Sequence, residues 1–363
     1  MAEPVNVGLV STSWWADAMH VPAIKSHDSA RLVACCGRDR DRARDFTNKH
    51  EIPTAYTDFR EMIAKEDLDL LVIATPETAH HEICLAAAEQ KIHVVCEKPL
   101  SLNASFAKEM VEAAQSAGIK HMTYFTWRWI PWLKYAKALV AAGSLGQIYE
   151  ISIRFAGGYG RSGDAHWKWN TESGTGILGD LGSHAIDLGH WLVGPIAEVD
   201  SRLASVVDRP TMGAHADRAC DAARLLVGFD TGTLGTIEVS AVAHLGSRGM
   251  EWRVEMFGEK GSLRVDADFS RGWRCWVALG DEEGSEVVPP DEYFEGVDRE
   301  ADFFTQSDQV FTRQSAGDRL MIDSILNDLR VEPTLEDGYR AQLVMDAAIE
   351  ASRCGTRVRV GKD

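Results

Sequence analysis

The sequence predicts an α/β protein of two domains: a doubly wound parallel sheet in residues 1–124, then an α+β domain with a large, mostly antiparallel open sheet in residues 125–363. A chain of 363 residues is too long for one ordinary hydrophobic core and suits two. In the first third, short apolar runs alternate with amphipathic helical segments. After residue 125 the apolar runs lengthen, several alternate with polar residues, and they follow one another directly. These three observations predict the two-domain fold.

The first domain is predicted from its buried strands. Apolar runs without polar alternation occur at residues 7–10, 31–36, 68–74, 93–96 and 120–124, and helical segments lie between them at 18–26, 39–50, 80–90 and 104–117. Strands that are apolar on both faces and separated by helices indicate a parallel sheet covered on both sides. Right-handed crossovers then give the doubly wound Rossmann fold, which binds ligands at the carboxyl ends of its strands.

The second domain is predicted from strands that follow one another along the chain. A helix at 131–142 ends at Gly143, and strands are expected at 148–155, 198–207, 222–229, 233–241, 252–257 and 261–265, before a final helix at 336–354. Turns containing glycine or aspartate join these strands. Consecutive strands of this type predict a mostly antiparallel sheet in an α+β domain.

Composition limits the classes of partner and the compartment. The formal net charge is -17 and no run of lysine and arginine occurs, which argues against nucleic acid or an anionic membrane as a partner. The seven cysteines form no CxxC pair and no zinc-type spacing, so we expect reduced thiols and no metal site. No apolar stretch approaches the roughly 18 residues of a membrane span, and no signal-peptide pattern opens the sequence. We expect a soluble, cytoplasmic protein.

The loop after the first strand departs from the dinucleotide-binding rule. That rule places G-x-G-x-x-G here, because glycines let the backbone approach the pyrophosphate. The segment instead reads Ser11-Thr12-Ser13-Trp14-Trp15-Ala16, with serine at two glycine positions and alanine at the third. Serine is small and its hydroxyl can donate to a phosphate, so residues 11–15 are candidate cofactor-binding residues. The alternative, which we favour less, is a degenerate domain that has lost its cofactor.

The end of the second strand bears on the choice of cofactor. An acidic residue usually stands here and accepts hydrogen bonds from the ribose hydroxyls of NAD. Gly37 and Arg38 occupy the position instead. A missing carboxylate followed by an arginine suits a 2′-phosphate, so NADP is favoured over NAD. Arg38 could equally be a solvated charge at the start of a helix.

A lysine follows the fourth apolar run of the parallel sheet, in Glu97-Lys98-Pro99. The carboxyl end of a parallel strand is where α/β sheets place ligands, and the following proline keeps Lys98 out of a helix. Lys98 is therefore a candidate for the ligand crevice. The alternative is an ordinary lysine in a surface turn.

A glycine-rich segment at 174–182 leads into polar residues at helical spacing. Asp180, His184 and Asp187 are spaced i, i+4 and i+7, which places them on one face of a helix. The glycines would let another domain or a ligand approach closely, and histidine is the natural proton acceptor near neutral pH. The alternative is a solvated amphipathic helix.

At these residues the sequence resembles the Gfo/Idh/MocA family of oxidoreductases. The matching features run in order along nearly the whole chain: His20-Val21-Pro22-Ala23-Ile24, Tyr56 with Asp58, Ala74-Thr75-Pro76 with His80, Glu97-Lys98-Pro99, the segment 143–148, Asp180-Leu181-Gly182-Ser183-His184 with Asp187 and Trp191, and Glu336-Asp337-Gly338. No single motif is decisive, but their order and spacing together are specific. The serine-substituted loop at 11–16 is the departure from the family pattern.

The resemblance implies an NAD(P)-dependent oxidoreductase that transfers hydride between the nicotinamide and a secondary alcohol or ketone of a sugar or polyol. It implies Lys98, Asp180 and His184 as catalytic residues. His184 would be the general base, Asp180 would orient the imidazole or the substrate hydroxyl, and Lys98 would stabilise charge on the reacting oxygen. The implied cofactor site adds to the loop residues, Gly37 and Arg38 the residues Thr75, Pro76, His80, Glu97 and Lys98.

Aromatic residues near the implied pocket favour a carbohydrate substrate, because their faces stack on the C–H surfaces of sugars. They lie in two segments, Trp127, Trp129 and Trp132 in one, and Tyr159, Trp167 and Trp169 in the other. Polar residues that could bond hydroxyls are Arg128, Arg161, Asp164, His166 and Lys168. The candidate substrate-binding residues are Lys98, Arg128, Trp129, Tyr159, Trp167, Asp180 and His184.

Two other function classes stay open within the family. One is a non-enzymatic regulator that senses NAD(P), and the other is a glycosidase that uses NAD as a transient oxidant. Retention of Lys98, Asp180 and His184 argues against the regulator. The resemblance also implies a homodimer or homotetramer, formed through one exposed apolar face of the large second sheet.

Overall fold

The computed structural model describes residues 3–212 and 218–361. The chain divides into two compact units. The first contains the chain up to Phe125 together with Gly296–Asp298 and Ser307–Tyr339, and the second contains Thr126–Glu295, Arg299–Gln306 and the chain from Arg340 onwards. The sequence-based boundary at 124/125 lies next to the change of unit after Phe125. The sequence-based division placed residues 307–339 in the second domain, whereas the structure places them in the first unit.

The first unit is built on a six-stranded parallel sheet. Its strands and helices alternate as β1 (Val5–Val10), α1 (Val21–Lys25), β2 (Ala30–Cys36), α2 (Arg40–His50), β3 (Thr54–Tyr56), α3 (Phe59–Lys65), β4 (Leu70–Ile73), α4 (His80–Glu89), β5 (His93–Cys96), α5 (Ala104–Ala117) and β6 (His121–Thr123). The strand order is β3-β2-β1-β4-β5-β6, with all neighbours parallel. This is the order of the Rossmann fold, so the predicted fold class is confirmed. The order reverses between β1 and β4.

Local sequence signals explain where these helices begin and end. Asp39 caps α2 by accepting a hydrogen bond from the amide of Arg42 at 2.8 Å. Asn103 caps α5 in the same way, accepting from the amide of Phe106 at 3.0 Å. Helix α5 ends at Gly118, whose φ of 67° is in the left-handed region that glycine adopts without strain.

The second unit is built on a nine-stranded sheet. Its elements are α6 (Pro131–Ala141), β7 (Ile148–Gly157), α7 (Ser183–Leu192), β8 (Ile196–Ala204), β9 (Ala222–Phe229), β10 (Leu234–Ser240), β11 (Met250–Gly258), β12 (Gly261–Asp268), β13 (Gly272–Leu279) and β14 (Ser285–Val287); the chain then continues through α8 (Phe303–Arg313), α9 (Asp318–Asn327), α10 (Leu335–Cys354) and β15 (Val358–Arg359). The order is β14-β13-β12-β11-β7-β10-β9-β8-β15. All its neighbours are antiparallel except β7 and β10. The predicted α+β domain is confirmed.

The exposed face of this sheet is charged, so the expectation of an apolar face is wrong. Asp266, Arg253, Arg154, Glu238 and Arg224 are direct cross-strand neighbours in one row. Arg154 forms ion pairs with both Glu238 and a strand β11 carboxylate. Arg253 and Arg154 are neighbours of like charge, but Glu238 and Asp266 each lie between two arginines, which suits a solvent-facing row. Exposed apolar side chains on this face are single residues among the charges: Leu226, Leu234 and Phe257.

Within the described residues, no helix combines the length and the apolar character needed to cross a lipid bilayer.

Candidate active site

The predicted cofactor residues of the first unit stand at the carboxyl ends of its strands. Ser11 follows β1, Gly37 follows β2, Thr75 lies just beyond β4, and Glu97 and Lys98 follow β5. Parallel strands bring these ends to one edge of the sheet, and the edge includes the point where the strand order reverses. This is the position at which doubly wound sheets bind their ligands.

Hydrogen bonds to serine side chains fix the backbone of the serine-substituted loop, which lacks the usual glycine turns. The Ser11 hydroxyl lies 2.9 Å from the Ser13 hydroxyl and accepts a hydrogen bond from the Ser13 amide at 3.1 Å. The Ser13 hydroxyl accepts from the amide of Ala16 at 3.2 Å. Ala16 begins a π-helical turn, Ala16–His20, which runs directly into α1. Trp14 is 75% exposed, so its ring is available to a ligand.

Gly37 packs tightly against this loop. A Cβ at Gly37 would lie 2.6 Å from Cγ2 of Thr12, so a side chain does not fit without displacing the loop. Arg42 donates from Nη2 to the carbonyl oxygen of Thr12 at 3.0 Å. Arg38 is exposed. NAD-specific sites carry a carboxylate at the position of Gly37. Here the close approach of the Thr12 side chain gives a physical reason for glycine at that position.

The edge of the sheet fits a dinucleotide. The hydroxyl oxygen of Thr75 is buried and has no hydrogen-bond partner among the described residues, so it is a ready donor or acceptor. In the helical segment that opens after Ser13, the Ala16 amide is taken by the Ser13 hydroxyl. The amides of Trp14 and Trp15 precede it in the first turn, where amides lack intrahelical partners and favour phosphate. Residues 11–15, Gly37, Arg38, Thr75 and Pro76 are the residues that would hold it.

His80 ties two strand-end loops together. Its ring is fully buried, with Nε2 2.9 Å from the Thr75 carbonyl oxygen and Nδ1 3.1 Å from the Pro99 carbonyl oxygen. Both ring nitrogens therefore contact backbone. These contacts indicate that His80 supports the cofactor edge through the backbone on either side.

Glu97 joins the loop to the lysine. Its Oε1 accepts a hydrogen bond from Nε1 of Trp15 at 2.5 Å, and its Oε2 accepts from the amide of Lys98 at 3.1 Å. The peptide bond between Lys98 and Pro99 is cis. Lys98 is half-buried and belongs to the first unit, whereas Asp180 and His184 belong to the second.

In the second unit, residues 180–187 do not form the one regular α-helix that was expected. Leu178–Gly182 forms a π-helical turn, and α7 begins only at Ser183. A π turn is closed by i→i+5 hydrogen bonds and has more residues per turn than an α turn, so a regular 3.6-residue repeat does not run through Asp180. Asp180 contacts Lys168 and Tyr159, His184 stacks on Trp127, and Asp187 contacts Arg128.

Asp180 is held by a cation and a phenol. Its Oδ2 accepts from Nζ of Lys168 at 2.7 Å and from the hydroxyl of Tyr159 at 2.7 Å. The Lys168 ammonium also lies 5.3 Å from the ring centroid of Tyr159 and 5.9 Å from that of Trp169. Partial desolvation, then the charge of Asp180 and the hydrogen bond to it, raise the pKa of Tyr159 well above its ordinary value although the residue is 44% exposed, so the phenol stays a donor. The sequence suggested Lys168 only as a hydroxyl ligand, and nothing in its spacing indicates this ion pair.

A buried arginine supports the loop that carries Lys168. Arg209 is 1% exposed, stacks its guanidinium 4.4 Å from the ring centroid of Trp169, and donates from Nη2 to the Gly160 carbonyl at 2.9 Å. Gly174 and Gly176 approach this unit's own backbone: a Cβ at Gly174 would lie 2.8 Å from Cα of Lys168, and one at Gly176 would overlap the Cys220 carbonyl. In the second unit, the close approach expected at these glycines is therefore made by neighbouring chain segments.

His184 and its neighbours form a packed layer. Its imidazole stacks on Trp127, with ring centroids 4.1 Å apart and planes inclined by 20°. Arg128 donates to Asp187 from Nε at 2.9 Å and from Nη2 at 2.5 Å, and both side chains are buried. Trp129 is buried as well, whereas Trp167 is 40% exposed. Of these candidate sugar-binding residues, Trp167 and Tyr159 present the most accessible rings.

No group of three or more His, Cys, Asp or Glu side chains among residues 3–212 and 218–361 is arranged to hold a metal ion.

The fold and the site define the class of protein. A parallel sheet in the order 3-2-1-4-5-6, with the loop Ser11–Ala16 at its switch point, has the architecture of a dinucleotide-binding domain. Two family models match the chain, the NAD-binding Rossmann fold of the oxidoreductase family at residues 5–125 and the C-terminal α/β domain of the same family at residues 137–360. The chain belongs to the Gfo/Idh/MocA oxidoreductase family.

Two relatives are named as dehydrogenases of levoglucosan and of myo-inositol. The chain is 27% identical over 365 residues to the levoglucosan dehydrogenase of Pseudarthrobacter phenanthrenivorans, covering 93% of this chain and 89% of that protein. It is 31% identical over 266 residues to the myo-inositol 2-dehydrogenase of Thermotoga maritima, covering 73% of this chain and 75% of that one. A solved structure of levoglucosan dehydrogenase with NADH and levoglucosan has a TM-score of 0.89 at 23% identity, covering 99% of this chain and 100% of that one, which shows the shared fold.

Proposed function

We propose that this chain is an NAD(P)-dependent dehydrogenase or reductase acting on a secondary alcohol or ketone of a sugar or polyol. The observation that carries the proposal is Lys98, which lies two residues beyond the end of β5 at the ligand edge of the sheet, with its amide bonded to the Glu97 carboxylate. The relatives named for levoglucosan and myo-inositol support this class of substrate. A homodimer or homotetramer, as the family resemblance implies, remains part of the proposal.

Each catalytic residue has a proposed role that suits its surroundings. A bound nicotinamide accepts or returns the hydride at its C4. Nδ1 of His184 is buried, so Nε2 is the atom that takes the hydroxyl proton. Asp180, fixed by Lys168 and Tyr159, orients the hydroxyl, and the Lys98 ammonium donates to the reacting oxygen as negative charge builds there.

The proposed contact set leaves out Arg128. Two donor groups of its guanidinium already bond Asp187 in a buried pair. We propose that Arg128 acts through this pair, by holding α7 in place, and that Trp129 likewise packs beneath the site. Tyr159 and Trp167 are the proposed aromatic contacts to sugar.

The proposed function is tested by a thermal-shift screen of sugars and polyols with NAD and with NADP, followed by absorbance assays for reduced nicotinamide. We expect at least one nucleotide to raise the melting temperature of the protein. In the absorbance assay, we expect at least one sugar or polyol to convert the oxidised nucleotide to its reduced form. Binding of a nucleotide without turnover of any substrate would favour the regulator instead. Release of an aglycone without net cofactor reduction would identify the glycosidase.

Substitution of His184 by asparagine is expected to lower kcat/KM by about 10²–10⁴-fold, because the general base is lost. The wild-type dependence of kcat/KM on pH near neutrality should flatten in the same variant. His81→Asn is the control, since His81 pairs with Glu109 on the surface of the first unit. Retention of the wild-type pH profile by His184→Asn would assign the proton transfer to another group.

Substitution of Arg38 by alanine is expected to weaken NADP binding selectively. The lost bond to the 2′-phosphate is charge-assisted and worth about 1.5–3 kcal/mol, or roughly one to two decades of affinity. NAD binding should be nearly unaffected. Calorimetric titration of both cofactors on wild type, Arg38→Ala and the control Arg40→Ala measures this, since Arg40 is also an exposed arginine of the same turn. Tighter binding of NAD than NADP by the wild type would reject the NADP preference.

A further inference from the structure

A buried histidine stands between two carboxylates in the first unit. The side chain of His20 is 0% exposed, its Nδ1 lies 2.8 Å from Oδ2 of Asp318, and its Nε2 lies 3.2 Å from Oε1 of Glu97. Tyr124 donates its hydroxyl to the same Asp318 oxygen at 3.3 Å and packs its ring 4.4 Å from the imidazole centroid. Only a protonated imidazole can donate from both nitrogens, so the geometry is that of an ionised trio.

The charges in this cluster support one another. Burial alone lowers the pKa of His20, but the charges and hydrogen bonds of Asp318 and Glu97 outweigh it and raise the pKa to about 10. Burial raises the pKa of Glu97, but His20, Lys98 and Trp15 together bring it below its ordinary value. At neutral pH the histidine is therefore a cation and Glu97 is an anion. The charge of Glu97 also acts on His80, where it opposes the lowering of the pKa of His80 by burial.

The Glu97 carboxylate has other hydrogen-bond donors besides His20. The same carboxylate accepts from the Trp15 indole and from the Lys98 amide, so three donors converge on two oxygens. Trp15 belongs to the serine-substituted loop, whose backbone lacks the glycines that normally fix its course. A loop of this composition depends on side-chain contacts for its position, and Trp15–Glu97 joins it to the strand end that carries Lys98.

We propose that Glu97, fixed by buried His20 and Asp318, is a positioning residue that couples the phosphate-binding loop, through Trp15, to the backbone of Lys98. This inference rests on the proposed function, because it assumes a nucleotide at the loop and a role for Lys98. It gives a positioning role to three residues that have no part in the proposed hydride or proton transfer: His20, Trp15 and Asp318. It also explains how the loop keeps its course without glycine.

The experiment is a double-mutant cycle on Trp15→Phe and Glu97→Met, read by calorimetric titration with NAD and NADP and by thermal denaturation. Phenylalanine keeps an aromatic ring and removes only the Nε1 donor. Removal of the Glu97 charge leaves His20 and Asp318 as a neutral pair, so folding is expected to survive. The matched control is Asp323→Asn. It removes a carboxylate that also pairs with a histidine of the first unit, His27, but lies outside the His20–Glu97–Asp318 cluster. Glu97→Gln is the conservative variant, since it keeps an oxygen acceptor.

Trp15→Phe is expected to weaken nucleotide binding about tenfold, the effect of losing one hydrogen bond to a charged acceptor. The double variant should lose no more than Glu97→Met alone, and Glu97→Gln should retain an intermediate affinity. Glu97→Met should also lower kcat, whereas Asp323→Asn should change neither affinity nor kcat.

Two results would overturn the inference while leaving the proposed function intact. One is wild-type affinity in Trp15→Phe with only a lowered melting temperature, which would make the contact merely structural. The other is full additivity of Trp15→Phe and Glu97→Met. Failure of the wild type to bind either nucleotide would instead reject the proposed function, and this inference with it.

Discussion

Replacing Lys98 by alanine is expected to lower kcat by several orders of magnitude while nucleotide binding survives. The ammonium acts mainly on charge that develops on the reacting oxygen, so its removal affects the transition state more than the ground state. Loss of one such donor costs on the order of 10²–10³-fold in kcat. Single-turnover rates of nicotinamide reduction and calorimetric titration of the cofactor separate the two effects.

The control for this variant is Lys91→Ala, which removes an exposed lysine just beyond α4 in the same unit. Lys98→Met adds a variant of similar length without charge, and it should behave as the alanine variant does. A Lys98→Ala protein with more than roughly a tenth of wild-type kcat would remove Lys98 from the mechanism.

The second large effect concerns stability. Arg128 and Asp187 are 6% and 1% exposed and form a two-point ion pair beside the stacked rings of Trp127 and His184. Removal of one partner leaves an uncompensated buried charge, which costs about 3–5 kcal/mol. Arg128→Ala and Asp187→Asn should therefore lower the free energy of unfolding by amounts of this order, measured by urea denaturation.

The double variant Arg128→Met/Asp187→Leu separates charge from packing. Because it leaves no unpaired charge, it should be more stable than either single variant. Lys65→Ala is the surface control: its pair with Glu61 is exposed, and its loss should cost only about 0.3–0.5 kcal/mol. A cost below about 1 kcal/mol for both single variants would show that the buried pair contributes little.

Much of the fold could be predicted because the strands and helices carry strong local signals. Residues 93–96 and 104–117 were predicted with the bounds that the structure gives, where Asn103 and Gly118 cap the two ends of the helix. Strand β3 was missed because three residues carry no period. Helices α8 and α9 were missed because buried polar residues interrupt their apolar patterns, Gln306 and Gln309 in α8 and Asp318 in α9.

The candidate site divides in the same way. Lys98 could be found because its place after a buried strand is a local property of the sequence. The partnership of His20 with Asp318 could not, because the two residues are 298 positions apart and meet only through tertiary structure. Asp180 was proposed from the sequence, but neither its place in a π turn nor its ion pair with Lys168 is indicated by a regular helical repeat.

A chain leaving the ribosome has all six strands of the first sheet once Thr123 has been made. At that stage His20 and Glu97 lie in the same unit, but Asp318 is still to come, behind the whole nine-stranded sheet except its last short strand. Domains usually mature in the order of their synthesis, N-terminal first. Here the N-terminal domain is the one that waits, since it acquires its last buried anion only when most of the protein has been translated.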